Sequence, residues 1–194
     1  MVERILSVQE IGEIERGYAL GIPALGFAAK EFLRRWQFGL KDEETLIRLV
    51  FLFWYSRTEP PFLTGLNNEF DGLSVERLLE EFGGEDRLGR ESRFIIAMLG
   101  YGEYAFGLGD ETEWRAKSTT FLRDAGADEP QSFLFADWKF FIDEAPDTKS
   151  LKTKIETEIH ARFAGRGYMG DYLIHILSAI VRPNQIGLPP NTDG

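Results

Sequence analysis

Leu46-Ile47-Arg48-Leu49-Val50-Phe51-Leu52-Phe53-Trp54-Tyr55 is the most apolar run of the chain, and its reading decides the fold. Ten residues that are apolar almost all round suit either a buried strand, which the aromatics favour, or a central helix. The residues before the run decide for helix. Asp42 is a good N-cap, and Glu43 and Glu44 fall in the first turn, where carboxylates complement the helix dipole. Glu59-Pro60-Pro61 then stops the helix, because proline lacks an amide hydrogen and restricts its predecessor. The run contains Arg48 and falls well short of the roughly 20 residues needed to span a membrane.

Working outward, the flanking segments carry helical periodicity. Upstream, Ile5, Leu6, Ile11 and Ile14 suit one or two short helices, and Gly21 and Pro23 mark a boundary. Ala24, Leu25, Ala28, Phe32, Leu33 and Trp36 then recur at three- and four-residue spacing, and Gly39 is a natural C-cap. Downstream, residues 62–72 read as a loop. Ser74 caps a short helix ending at Phe82, with Gly83-Gly84 closing it, and Phe94, Ile95, Met98 and Leu99 share the inward face of another. Asp110 and Glu113 form a capping box ahead of Trp114, Phe121, Leu122 and Ala125. Asp128, Pro130 and Gln131 open a segment bearing Phe133, Leu134, Trp138, Phe141 and Ile142, which Pro146 ends. Leu151, Ile155, Ile159 and Phe163 recur every four residues on the clearest amphipathic helix. Gly165 and Gly167 break it, and Asp171 precedes a last helix carrying Leu173, Ile176, Leu177 and Ile180 to Pro183.

No repeat or linker divides the 194 residues, so the expectation is an all-α fold. It is read as a single compact irregular multi-helix bundle or array of about eight or nine helices, spanning 1–183, with 184–194 as a C-terminal tail. Sixteen Phe, six Tyr and four Trp predict an aromatic-rich core in which each buried Tyr or Trp needs a polar partner.

A formal charge of -10 disfavours nucleic acid and anionic membranes as partners. The charge is uneven: 0 over residues 1–40, -5 over 41–100, -7 over 101–147 and +2 over 148–194. Arg34-Arg35 and Lys149, Lys152 and Lys154 are only small basic patches. With no Cys, disulfides and thiolate chemistry are excluded, and a start without a signal-like apolar run makes a soluble, cytoplasmic protein the expectation.

Three groups of residues are candidates for function. Glu156 with His160, and Asp171 with His175, each have i,i+4 spacing, so a helix places each pair on one face. If the turn around Arg166 brought them together, four N and O ligands would suit a transition metal, and either histidine would suit general-base chemistry. The plainer reading is structural hydrogen bonding by both histidines. The second group is the run 100–109, in which four glycines alternate with Tyr101, Tyr104, Phe106 and other residues. It lacks both the P-loop and the dinucleotide patterns, so an aromatic-packed helix connection is expected, with anion or peptide binding by its amides as the alternative. The third is Trp54, Tyr55 and Arg57 before the Pro-Pro break, residue types that anchor protein interfaces.

No nucleophile elbow, zinc-protease helix or calcium loop is present. The function expected is therefore a noncatalytic protein-interaction module, of immunity or regulatory type, that binds a basic surface on another protein. A metal-dependent enzyme built on the carboxylate-histidine pairs and a small-ligand-binding helical protein are the alternatives.

Overall fold

The computed structural model describes residues 4–19, 24–101, 103–136 and 149–181. Among these, ten helices and no strand are found, the all-α array expected. They are α1 (Val8–Ala19), α2 (Leu25–Gln37), α3 (Glu43–Thr58), α4 (Pro61–Thr64), α5 (Val75–Phe82), α6 (Arg90–Tyr101), α7 (Glu111–Asp128), α8 (Phe133–Ala136), α9 (Lys149–Phe163) and α10 (Gly167–Val181). Short 3-10 turns at Glu85–Arg87 and Ala105–Gly107 link α5 to α6 and α6 to α7. Gly21, Pro23, Trp138, Phe141, Ile142, Pro146 and the tail 184–194 lie outside the described residues.

The apolar run forms the centre. Asp42 caps α3 by accepting from the Thr45 amide at 2.9 Å, and every residue from Thr45 to Tyr55 is buried. Helices α2, α5 and α6 pack around α3, α6 and α7 form the most extensive helix pair, and α1 joins α2 to α10. One apolar cluster runs from Ile11 to Val181, and Ile155, Ile159 and Phe163 of α9 enter it as their four-residue spacing requires. Burying a side chain of that size is worth about 1.5–3 kcal/mol, so this shared core binds the two ends of the chain to its middle.

Two boundaries differ from the sequence reading. Residues 61–64 form a turn of helix rather than loop, because Pro61 sits in its first turn with φ already set for helix, and Gly65 ends it in the left-handed region. The last helix begins at Gly167, four residues before Asp171. Its cap is not local: the Glu15 carboxylate of α1 accepts the Tyr168 amide at 2.8 Å, across 153 residues. One of the free amides at the start of α10 is thereby satisfied by another helix.

That carboxylate also pairs with Arg48, and both side chains are fully buried, at 0% and 2% exposure. Arg48 donates a second bond to Glu44 at 2.9 Å, and Glu44 in turn pairs with Arg166 just before α10. Arg166 reaches on to Glu91 of α6 at 2.5 Å. Four helices, α1, α3, α6 and α10, thus meet the Arg166 turn in one ionic network. Burial lifts the Glu15 carboxyl above its ordinary range, opposed by Arg48 and the Tyr168 amide.

Gly167 lies against this pair with φ +58, and a Cβ there would overlap Glu15 Oε2 and Arg48 Nη1. Neither group can yield without breaking a buried ion pair. Gly165, with φ +79, has nothing within 4 Å of its Cβ position. Gly165→Ala is therefore expected to cost only the left-handed backbone penalty, about 1–2 kcal/mol. Gly167→Ala is expected to cost at least about 3 kcal/mol, since it adds disruption of the pair. Urea unfolding of the two variants side by side checks the difference.

Candidate binding surface

The interface expected at Trp54, Tyr55 and Arg57 is not what the fold presents. Trp54 and Tyr55 are 4% and 5% exposed, because α3 is enclosed on nearly every side, and only Arg57 reaches solvent, lying over the Phe53 ring. Tyr55 instead joins a chain of phenols: its hydroxyl is 3.1 Å from that of Tyr18 and 2.9 Å from that of Tyr168. Burial and these two bonds push the Tyr55 phenol up, and burial holds Tyr168 at about 12, so both stay neutral at any working pH.

The carboxylate-histidine pairs are not brought together as ligands. His160, Asp171 and His175 are exposed, and among the described residues no group of three or more His, Asp or Glu side chains is arranged to hold a metal ion. The reason is their position on α9 and α10. Ile155, Ile159 and Phe163 of α9 and Leu173 and Leu177 of α10 turn inward, which leaves His160 and His175 on outer faces. The turn between them is occupied by Arg166 and its carboxylates instead.

The basic side chains of this region are also engaged. Arg162 donates to Glu158 and Glu129 at 2.8 and 2.7 Å and reaches Glu91 at 3.4 Å. Ser132 and the Leu134 amide add two further donors to Glu158. Burial alone would raise the Glu158 carboxyl, but these donors outweigh it and hold it low. A cleft of about 450 Å³ lined by Glu43, Glu44, Glu91, Arg90, Arg162 and Arg166 is therefore an internally neutralised network.

Gly102 of the glycine-aromatic run lies outside the described residues; the rest of the run, 100–101 and 103–109, forms an aromatic-packed connection with one exposed side. Cβ positions at Gly107 and Gly109 would lie 2.6 Å from Trp54 Cδ1 and 2.8 Å from Trp114 Nε1, so glycine lets the backbone touch two indole edges. Trp54 Nε1 donates to the Tyr104 carbonyl at 2.9 Å and Trp114 Nε1 to Glu76 at 2.9 Å, which satisfies both rings. Held from behind in this way, the turn puts Tyr104 and Phe106 outward, 52% and 43% exposed, with ring centroids 6.2 Å apart.

Charge completes the picture of this face. Between Tyr101 and Trp114 the chain has four carboxylates, Glu103, Asp110, Glu111 and Glu113, and no Lys or Arg. All four are exposed. Asp110 caps α7 by accepting from the Glu113 amide at 2.9 Å, and Glu111 accepts from Arg115 at 2.6 Å, so these two carboxylates are held in place. Phe62 and Leu63, on the turn of helix that follows α3, are 79% and 50% exposed. The C-terminal end of α3 thus carries exposed rings and carboxylates together. The exposed rings lie on this turn rather than on α3 itself; the glycine spacing holds one face of the turn against indoles and leaves the other free.

Behind Tyr104 lies a cavity of about 220 Å³, lined by Trp54, Met98, Leu99, Tyr101, Tyr104, Tyr172, Ile176 and Ile180. Burial, with the nearby charge of Glu59 and the Tyr104 phenol, pushes Tyr172 up to about 12. Among the described residues no helix is long and apolar enough to cross a membrane. Comparison with protein-family models, with curated proteins and with solved structures finds no match to this chain.

On the far side of α2, Glu81 accepts from Lys41 at 2.9 Å, Trp36 Nε1 at 2.8 Å and Arg77 at 3.0 Å. These donors, Lys41 first, hold its carboxyl at about 2, below its unfolded value. The folded state thus binds this proton more weakly than the unfolded chain does. Its stabilising contribution is complete above about pH 4.5 and is lost as the pH falls toward 2. Glu81→Gln is expected to lower stability at neutral pH and to flatten the acid limb over that window. Thermal melts of both proteins from pH 7 to pH 2 measure it.

Proposed function

We propose that the protein is a noncatalytic protein-binding module whose docking surface is the acidic turn 103–113 with Tyr104 and Phe106 at its centre. The observation that carries the reading is the coincidence, on this turn and the first residues of α7 after it, of two exposed rings and four exposed carboxylates, one of which, Glu111, is paired with Arg115 at 2.6 Å. Aromatic anchors supply much of the energy of protein interfaces, and surrounding charge of one sign steers an oppositely charged partner and raises its association rate. The partner implied is a protein with a basic surface, and covering such a surface is how an immunity or regulatory protein would act. The turn is preorganised by the Trp54 bond, which lowers the ordering cost of association.

Affinity capture from native lysate, followed by binding measurements on the recovered protein, tests the reading. Phe106→Ser is expected to weaken binding by about tenfold or more, as loss of a central ring does. The pair Glu111→Lys and Glu113→Lys is expected to slow association and to remove its salt dependence. Phe38→Ser, a more exposed ring beside the opposite end of α3, serves as the control and is expected to leave binding unchanged. Failure to recover a stoichiometric partner, or a partner indifferent to both changes, overturns the reading.

A further inference from the structure

The cavity behind Tyr104 has a chemistry of its own. Four of its eight lining residues are aromatic, Trp54, Tyr101, Tyr104 and Tyr172, and none is Lys, Arg or His. The Trp54 ring meets Tyr104 at 88° with centroids 6.4 Å apart, and meets Tyr172 at 65° and 5.7 Å. Rings set steeply to one another form walls rather than a stack. Its volume of about 220 Å³ lies below the roughly 300–1,000 Å³ of pockets that bury a drug-sized molecule, so it suits a single compact group. Tyr104, half exposed, stands at its mouth, next in sequence to the exposed carboxylate of Glu103. Glu59 is close enough for its charge to act on Tyr172.

We infer that this cavity is an aromatic cage that binds a trimethylammonium group. A cation is drawn to the negative faces of aromatic rings, and the attraction grows as water is excluded. Glu59 adds a field of the right sign. The remaining walls, Met98, Leu99, Ile176 and Ile180, discriminate among cations. A lysine ammonium or an arginine guanidinium carries N–H donors that those aliphatic walls cannot accept, and burying an unsatisfied donor is costly. A quaternary ammonium has no N–H to satisfy and presents methyl groups to both kinds of wall.

This site is independent of the partner-binding reading and is measured on the purified protein alone. Isothermal titration compares choline with 3,3-dimethylbutan-1-ol, its neutral isostere, and a trimethyllysine peptide with its unmodified counterpart. Choline is expected to bind at least about tenfold more tightly than the alcohol. Tyr172→Leu, or Tyr101→Leu if the first variant melts early, is expected to remove about tenfold of the choline affinity while changing that of the alcohol by about twofold or less. Tighter binding of the trimethyllysine peptide than of choline supports the site and shows that the group arrives on a protein; the reverse order supports it with a free small molecule as ligand. Equal binding of choline and the alcohol reduces the site to an apolar hole and overturns the inference. So does the absence of heat from both trimethylammonium probes at millimolar concentration, a result obtained on the unmodified protein without any variant.

Discussion

The pairing of Glu15 with Arg48 is the constraint on which the arrangement of the helices depends. A carboxylate and a guanidinium lie together with 0% and 2% exposure, in the interior of an all-helical core. Removing two charges from water costs several kcal/mol for each, and mutual attraction returns this only when the remaining hydrogen-bonding capacity is used. Here it largely is. Arg48 also donates to Glu44, and Glu15 also accepts the Tyr168 amide, while Glu15 Oε1 has no hydrogen-bond partner among the described residues. The net gain in stability over an apolar pair is therefore small, whereas separating the partners would cost about 3–5 kcal/mol. Such an interaction acts on geometry. It admits one register of α1 against α3, and it fixes where α10 can begin.

From that fixed start the aromatic interior follows. With α10 anchored at Gly167, Tyr168 comes within 2.9 Å of Tyr55, and Tyr172 packs against Phe51, Trp54 and Tyr55. The phenols satisfy one another through the Tyr18–Tyr55–Tyr168 chain, and Trp54 finds its acceptor at the Tyr104 carbonyl, in the turn between α6 and α7. An aromatic-rich core needs partners for its polar ring atoms; here Tyr18, Tyr55 and Tyr168 meet one another, Trp54 meets backbone, and Trp36 and Trp114 meet the carboxylates of Glu81 and Glu76. The exposed turn at 103–113 is thus the outer end of a sequence of contacts that begins at the buried ion pair.

How far this was legible in the sequence depended on how local each cause was. The central helix was readable because its cap, its acidic first turn and its proline stop all lie within twenty residues of the apolar run, and the Asp110–Glu113 box was equally local. The start of α10 was misplaced because its cap comes from Glu15, which no window around Gly167 contains. In the sequence Arg48 counted only against a membrane span, although it is the residue that ties α3 to α1 through Glu15. Trp54 and Tyr55 were placed at an interface on residue type alone; the enclosure of α3 by α2, α5, α6 and the rings of α10 hides them. The i,i+4 spacing of Glu156 with His160 and of Asp171 with His175 was real, but periodicity says only that two residues share a face. Which face turns inward was decided by Ile155, Ile159, Leu173 and Leu177, and it left the histidines outside.

The proposed docking surface and the proposed cage meet at Tyr104, and the physical reason is the same for both. Its carbonyl is held by Trp54 and its ring is free, so one residue serves as a wall of the cavity and as part of the exposed pair with Phe106. A surface turn tethered only at its ends would lose most of its interaction energy to ordering on contact. This turn is pinned at its middle by an indole that is itself 4% exposed and locked among Phe51, Tyr55 and Tyr172. The ordering cost has thus been met during folding, out of core packing, rather than at the moment of binding. A core with this many rings is therefore more than a means of filling space. It extends rigidity from the enclosed helix α3 to a turn where aromatic and acidic groups face solvent together.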